Sequence, residues 1–268
     1  MTHYLPVELA GPGFAVVRGY ADSESVRVLI DTGDFAPYAV LITPDLAARL
    51  KLKPRSRTRC VHAPLGSRSI CFTPVSMPFR LGPVRAAGDD AGISPQVGEI
   101  AARFGGSFDA VVGGRFLKSR RLTIDYRQHL LTFDGPVPRM PSMTFRTLSV
   151  SAVVGNATVN GAAPFRFLID TAAADTIVTP WAARRTHILA GGPTPLYAAG
   201  GAVTVATGSN ARICLGTRCR SGLTVKIAHL PRKIELLGTS IDGVVGVPFL
   251  ASGKLTIDYP AHRLWLEP

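Results

Sequence analysis

Asp109–Phe133 reads DAVVGGRFLKSRRLTIDYRQHLLTF, and Asp242–Leu266 reads DGVVGVPFLASGKLTIDYPAHRLWL. Aligned without a gap, the two segments agree at 14 of 25 positions, at an offset of 133 residues. A second pair lies upstream of each: Val26–Gly33 (VRVLIDTG) matches Phe165–Ala172 (FRFLIDTA) at an offset of 139. Two blocks recurring in the same order imply a tandem duplication. Asp134–Met143 (DGPVPRMPSM) separates the copies, and its prolines and glycine break any regular element. The expected division is therefore a lobe at 1–135, a Pro-rich linker at 136–145 and a second lobe at 146–268.

Each copy reads as short strands. The 27 glycines and 21 prolines fall between Val/Ile/Leu-rich runs, the punctuation of a mainly β chain. Asn160-Gly161 signals a hairpin turn before Phe165–Ile169. Leu122–Asp125 and Leu255–Asp258, each followed by polar turn residues and another apolar run, read as hairpins closing the lobes. Pro44–Leu50 and Pro180–Arg185, each opened by Thr-Pro, carry the start signal of a short helix.

With 268 residues, 46% apolar and 18% charged, the chain is long and apolar enough for a sizeable core. No apolar run reaches the length of a membrane span. The opening MTHYLPVELAGPG lacks the charged start and apolar stretch of a signal peptide. The net charge of +12 admits an anionic partner, but no nucleic-acid-binding signature accompanies it. The surplus reads as charge that keeps the molecules apart, with no nucleic-acid partner expected.

In both copies an apolar strand delivers an Asp, then Thr, then a small residue: Asp31-Thr32-Gly33 and Asp170-Thr171-Ala172. A carboxylate at the end of such a strand is costly unless something needs it there. The small residue permits a tight loop whose N–H groups can turn toward the carboxylate. Matched positions in a duplicated chain imply that the two carboxylates face each other. Such a pair shares one proton and titrates as a unit. It then holds a base for a water and an acid for a carbonyl oxygen, which is the chemistry of amide hydrolysis.

These motifs resemble the pepsin/retropepsin superfamily of aspartic proteases, in a single-chain two-lobed form. The resemblance rests on Asp31-Thr32-Gly33 with Val111-Val112-Gly113, and on Asp170-Thr171-Ala172 with Val244-Val245-Gly246. It implies a two-lobed all-β barrel fold, a catalytic Asp31/Asp170 pair, and loop support from Thr32, Gly33, Thr171 and Ala172. Each Val-Val-Gly strand should run beside its Asp loop, and Thr32 and Thr171 should brace the loops. A flap over the cleft is implied in each lobe, with Cys60–Phe72 and Gly200–Val205 as the segments in position. Two departures stand out: Ala172 where Gly is usual, and Asp34 directly after the first motif. Asp34 is either a third carboxylate in the cleft or a turn residue, and its type suits a turn.

Asp109, Asp125, Asp242 and Asp258 recur as well, at strand ends, so repetition alone does not mark catalysis. His129 and His262 match in the closing turns and read as surface residues. No metal-ligand spacing or G-x-S-x-G stretch is present. Lys51, Lys53, Arg55, Arg57 and Arg59 alternate, as along one side of an exposed edge strand.

The cysteines fall as two local pairs. In Cys214-Leu-Gly-Thr-Arg-Cys219 a Gly216-Thr217 turn makes Leu215 and Arg218 the hydrogen-bonded pair. Cys214 and Cys219 are then the next pair, about 4.5 Å apart at Cα. Cys60 and Cys71 can face each other across a turn near Pro64–Gly66. Two disulfides imply a periplasmic or secreted setting; the alternative is four thiols in a cytoplasmic protein. The expected function is a monomeric aspartic endopeptidase acting on peptides or unfolded protein through an activated water, with no cofactor and no metal. The rival is a catalytically silent protein that binds a peptide or partner in the same cleft.

Overall fold

The structure, a computed structural model, describes residues 3–105, 108–148, 151–230 and 240–268. Strands dominate it. Glu24–Ile30 ends in Val28, Leu29 and Ile30, all buried, as expected of a strand covered on both faces. It lies antiparallel to Phe14–Ala21 and parallel to Ala110–Val112. Ala110–Val112 runs antiparallel to Val40–Ile42, which is parallel to Ala91–Ile93.

The same pattern surrounds the second copy. Ala162–Ile169 is antiparallel to Val153–Val159 and parallel to Gly243–Val245. Gly243–Val245 is antiparallel to Ile177–Val178, which is parallel to the end of Arg218–Ile227. In both copies the Asp loop therefore leaves a central strand beside a Val-Val strand. Fully buried Phe14, Phe133, Phe167 and Phe249 anchor the packing, each worth roughly 2–3 kcal/mol of transfer free energy.

Both closing hairpins form, Arg121–Asp125 with Leu130–Phe133 and Lys254–Asp258 with Arg263–Glu267. They also pair with each other, Arg121–Asp125 antiparallel to Lys254–Asp258, a junction the repeat alone did not reveal. Thr123 faces Thr256 at its centre, with hydroxyls 2.9 Å apart. His3–Pro6 adds to one margin of this sheet and Met143–Thr144 to the other, so strands from both halves of the chain are continuous through it.

The two Thr-Pro helices form at Pro44–Arg49 and Pro180–Arg185. Thr43 accepts from Leu46 N–H at 3.1 Å and Thr179 from Ala182 N–H at 3.3 Å, caps worth about 1 kcal/mol each. A further helix, Pro95–Arg103, was not expected, although Ser94-Pro95 carries the same start signal. The basic stripe differs from expectation. Lys51 has φ 52° and no strand forms before Arg59, so a helix end and an irregular exposed segment replace the edge strand over 51–58. Within the expected 136–145 linker a strand already begins at Met143, and Trp265 Nε1 donates to Pro138 O at 2.9 Å.

Candidate active site

Each Asp loop is tied first by its backbone. Asp31 N–H donates to Val112 O at 2.9 Å and Asp170 N–H to Val245 O at 3.0 Å, so each Val-Val-Gly strand does run beside its Asp loop. The loop then turns back on the carboxylate. Gly33 N–H donates to Asp31 Oδ1 at 2.9 Å, and Ala172 N–H donates to Asp170 Oδ1 at 2.8 Å. Between the loops Thr32 and Thr171, both fully buried, exchange hydrogen bonds.

These ties bring the two carboxyls into one cavity, close enough that each acts on the other's titration. Burial, then the charge of Asp170, then that of Asp34, hold the Asp31 carboxyl well above the usual carboxylate range. Burial raises Asp170 as well, but N–H groups of Ala172 and Ala173 and the hydrogen bond from Asp31 oppose the rise. Asp31 is raised further than Asp170, and carboxyls this close titrate as a unit that shares one proton.

The two small residues after Asp-Thr are not equivalent. A Cβ on Gly33 would lie 2.3 Å from Asp170 Cγ, so the close approach of the loops requires glycine there. On the other side the Ala172 methyl group is accommodated, half-buried among apolar neighbours. Asp34 satisfies both of the readings it had from sequence. It accepts from Ala36 N–H at 2.9 Å as a turn residue does, and it lines the same cavity as Asp31 and Asp170. Burial pushes its pKa up to about 7.

That cavity, of about 350 Å³, is lined mainly by apolar side chains, with charged residues at several points. Ile70, Phe72, Val97 and Ile100 line it from the first half of the chain, Leu196 and Ile241 from the second. The Pro95–Arg103 helix supplies Val97, Glu99, Ile100 and Arg103 to the wall. Sequence reading missed these residues because the Ser-Pro start was passed over. Two hairpin tips also meet at this cavity. The hairpin of Arg59–His62 with Ser69–Val75 carries Gly66 at φ 92°, bridged to Gly200 between Ala190–Ala198 and Gly201–Leu215. Arg68 N–H donates to Gly200 O at 3.1 Å, and a Cβ on Gly66 would lie 2.1 Å from that oxygen.

Both disulfides are present. Cys60 pairs with Cys71 at the base of the Gly66 hairpin, with Cα atoms 4.1 Å apart. Cys214 pairs with Cys219 at 3.9 Å, in the register expected from the Gly216-Thr217 turn. Such bonds persist in an oxidising environment.

The other repeated residues lie outside this cluster. Asp109 accepts from Arg27 N–H at 2.9 Å, and Asp242 from Arg166 N–H at 2.8 Å. Asp125 and Asp258 each accept a backbone N–H within their closing turns. His129 and His262 are exposed turn residues at φ 55° and 54°. Among the described residues, no helix is long and apolar enough to cross a membrane. None of the described His, Cys, Asp and Glu form a group that could hold a metal ion. Sequence reading also missed the tyrosines of the two LTIDY segments. Tyr126 and Tyr259 are buried, and their hydroxyls find no partner among the described residues.

A family model described as aspartyl protease matches residues 155–249, a span that holds Asp170-Thr171-Ala172 and Val244-Val245-Gly246. The match supports an aspartyl protease family for the chain. No curated protein matches it.

Proposed function

We propose that the chain is a single-chain aspartic endopeptidase whose Asp31 and Asp170 act together on a water. The observation that carries this reading is the convergence of Asp31 and Asp170 on one cavity, their loops locked together by Thr32 and Thr171. The aspartyl protease match over the second copy supports it, as does the recurrence of the same strand pattern about Asp31. In this reading residues 1–135 and 146–268 are two retropepsin-like lobes joined by 136–145. Each lobe supplies one carboxylate, so a monomer suffices.

The larger rise at Asp31 suits it to the acid's role and Asp170 to the base's. Ionised Asp170 takes a proton from water, and the water oxygen attacks the carbonyl carbon of the peptide bond. Protonated Asp31 gives its proton to the carbonyl oxygen, leaving a neutral tetrahedral diol. The diol then returns a proton to Asp31 as the C–N bond breaks, and Asp170 delivers its proton to the departing amine. The products are a carboxylic acid and an amine, and the pair regains its starting protonation. Thr32, Gly33, Thr171 and Ala172 hold the loops. The two hairpins that meet at Gly66 and Gly200 act as flaps over an apolar peptide segment. The disulfides suit a periplasmic or secreted enzyme.

Incubation with a mixed peptide library between about pH 3 and 7 tests the reading, with products identified by mass. Internal cleavage at defined bonds is expected. If peptides are bound but none is cut at any pH, the silent binding protein takes its place.

A further inference from the structure

Asp34 breaks the symmetry of the site. Its N–H donates to Asp31 O at 3.3 Å, as Ala173 N–H does to Asp170 O at 3.4 Å, so the two residues correspond and only one carries a carboxyl. The Asp34 side chain is fixed from two sides. Oδ1 accepts from Ala36 N–H at 2.9 Å. Its Cβ and Oδ2 lie against Gly113, where an added Cβ would come within 2.6 and 2.9 Å of them and 3.0 Å of Asp31 O. A side chain at residue 113 would thus drive the third carboxyl away, and glycine lets it stay.

Among the described residues that line the cavity, every cation is already engaged elsewhere. Asp31 and Asp170 share the cavity with it, and Glu99 and Asp175 line the walls. Arg68 is engaged by Glu99 at 2.8 Å, Arg103 lies over the Tyr197 ring at 3.5 Å, and Lys226 approaches Asp175 at 3.8 Å. The remaining titratable neighbours are buried Tyr126 and Tyr259, on which the charges of Asp170 and Asp31 bear.

We propose that Asp34 is a positioning residue for the proton: its carboxyl, seated against Gly113 beside Asp31, keeps the proton of the pair on Asp31 as the pH rises. The proposal rests on the aspartic-peptidase reading above. Burial pushes the Asp34 pKa up to about 7, and its charge, once formed, adds to that of Asp170 in raising Asp31. The singly protonated pair is thereby carried to higher pH than two carboxyls alone would allow. Below about pH 7 Asp34 is mostly neutral, so the low-pH limit of activity should move little when it is removed.

The test is kcat/KM against pH for the wild type and Asp34→Asn, which keeps an acceptor for Ala36 N–H and removes the charge. The alkaline limb should fall by about one pH unit while the acid limb stays. Carboxyl 13C titration of Asp31 in the same two proteins should show the same fall without any turnover. Asp34→Ser serves if the Asn variant does not fold. An Asp31 titration unmoved by loss of Asp34 overturns the proposal, whether or not peptides are cut. So does an unchanged pH profile with a higher KM for peptides bearing a basic residue, which would make Asp34 a substrate-recognition group. A titration that falls in a protein that cuts nothing upholds the role of Asp34 and removes the peptidase reading instead.

Discussion

Thr32 and Thr171 hold each other reciprocally. Each N–H donates to the other's hydroxyl, at 3.1 and 3.2 Å, and each hydroxyl donates to the carbonyl before the opposite Asp, Ile169 O or Ile30 O, at 2.7 Å. Thr32→Val or Thr171→Val keeps the shape and strands a buried N–H and a buried carbonyl. Each variant should lose about 2–4 kcal/mol in denaturant unfolding. Thr→Ser at either position should lose much less, because the hydroxyl remains.

The small residues beside the pair should respond unequally. Gly33→Ala places a methyl group 2.3 Å from Asp170 Cγ and must push the carboxyls apart. Its activity should collapse, whereas Ala172→Gly should retain most of it. Parallel kcat/KM measurements check both.

Stability should depend on pH with a definite sign. Asp31, Asp34 and Asp170 are all raised in the folded state, Asp34 to about 7. A raised carboxyl contributes its full stability below its unfolded pKa and loses it as the pH rises through the folded value. The unfolding free energy should therefore fall between about pH 4 and 7. Asp34→Asn should flatten that fall and raise Tm at neutral pH by a few degrees, roughly. Thermal unfolding across the pH range measures it.

Much of this arrangement was legible in the sequence because its key segments recur. The Asp-Thr pairs, the Val-Val-Gly strands and the closing hairpins all recur, and each recurrence marked a position on a shared pattern. The Cys214–Cys219 register followed from one Gly-Thr turn. What stayed hidden was whatever broke the repeat or depended on tertiary contact. Asp34 stood out as a departure, but with Ala173 as its counterpart the repeat could not say whether it faced the cleft or only made a turn, and it does both. The Pro95–Arg103 helix was legible from Ser94-Pro95 and from Val97, Ile100 and Ala101 at helical spacing, but it has no counterpart in the second copy to draw the eye. The pairing of Arg121–Asp125 with Lys254–Asp258 joins segments far apart in the chain. Alternation at Lys51–Arg59 misled, because alternating charges describe an exposed loop as well as an edge strand.

The disulfides should act through the unfolded chain. The bond between Cys60 and Cys71, 11 residues apart, should stabilise by about 3 kcal/mol, and that between Cys214 and Cys219, 5 apart, by about 2 kcal/mol. Pairwise Cys→Ser variants unfolded in denaturant would separate them. Loss of Cys60–Cys71 should also raise KM, since that bond sits at the base of the hairpin that meets Gly200.

The central claim is that Asp31 and Asp170 work as one unit, and single substitutions test it most directly. Asp31→Asn and Asp170→Asn should each lower the rate of peptide cleavage by at least about 10³-fold, with neither variant rescued by the carboxyl it retains. Their Tm at neutral pH should equal or exceed that of the wild type, because each removes a carboxyl that burial disfavours. Cleavage that survives in either folded variant would contradict a shared-proton pair.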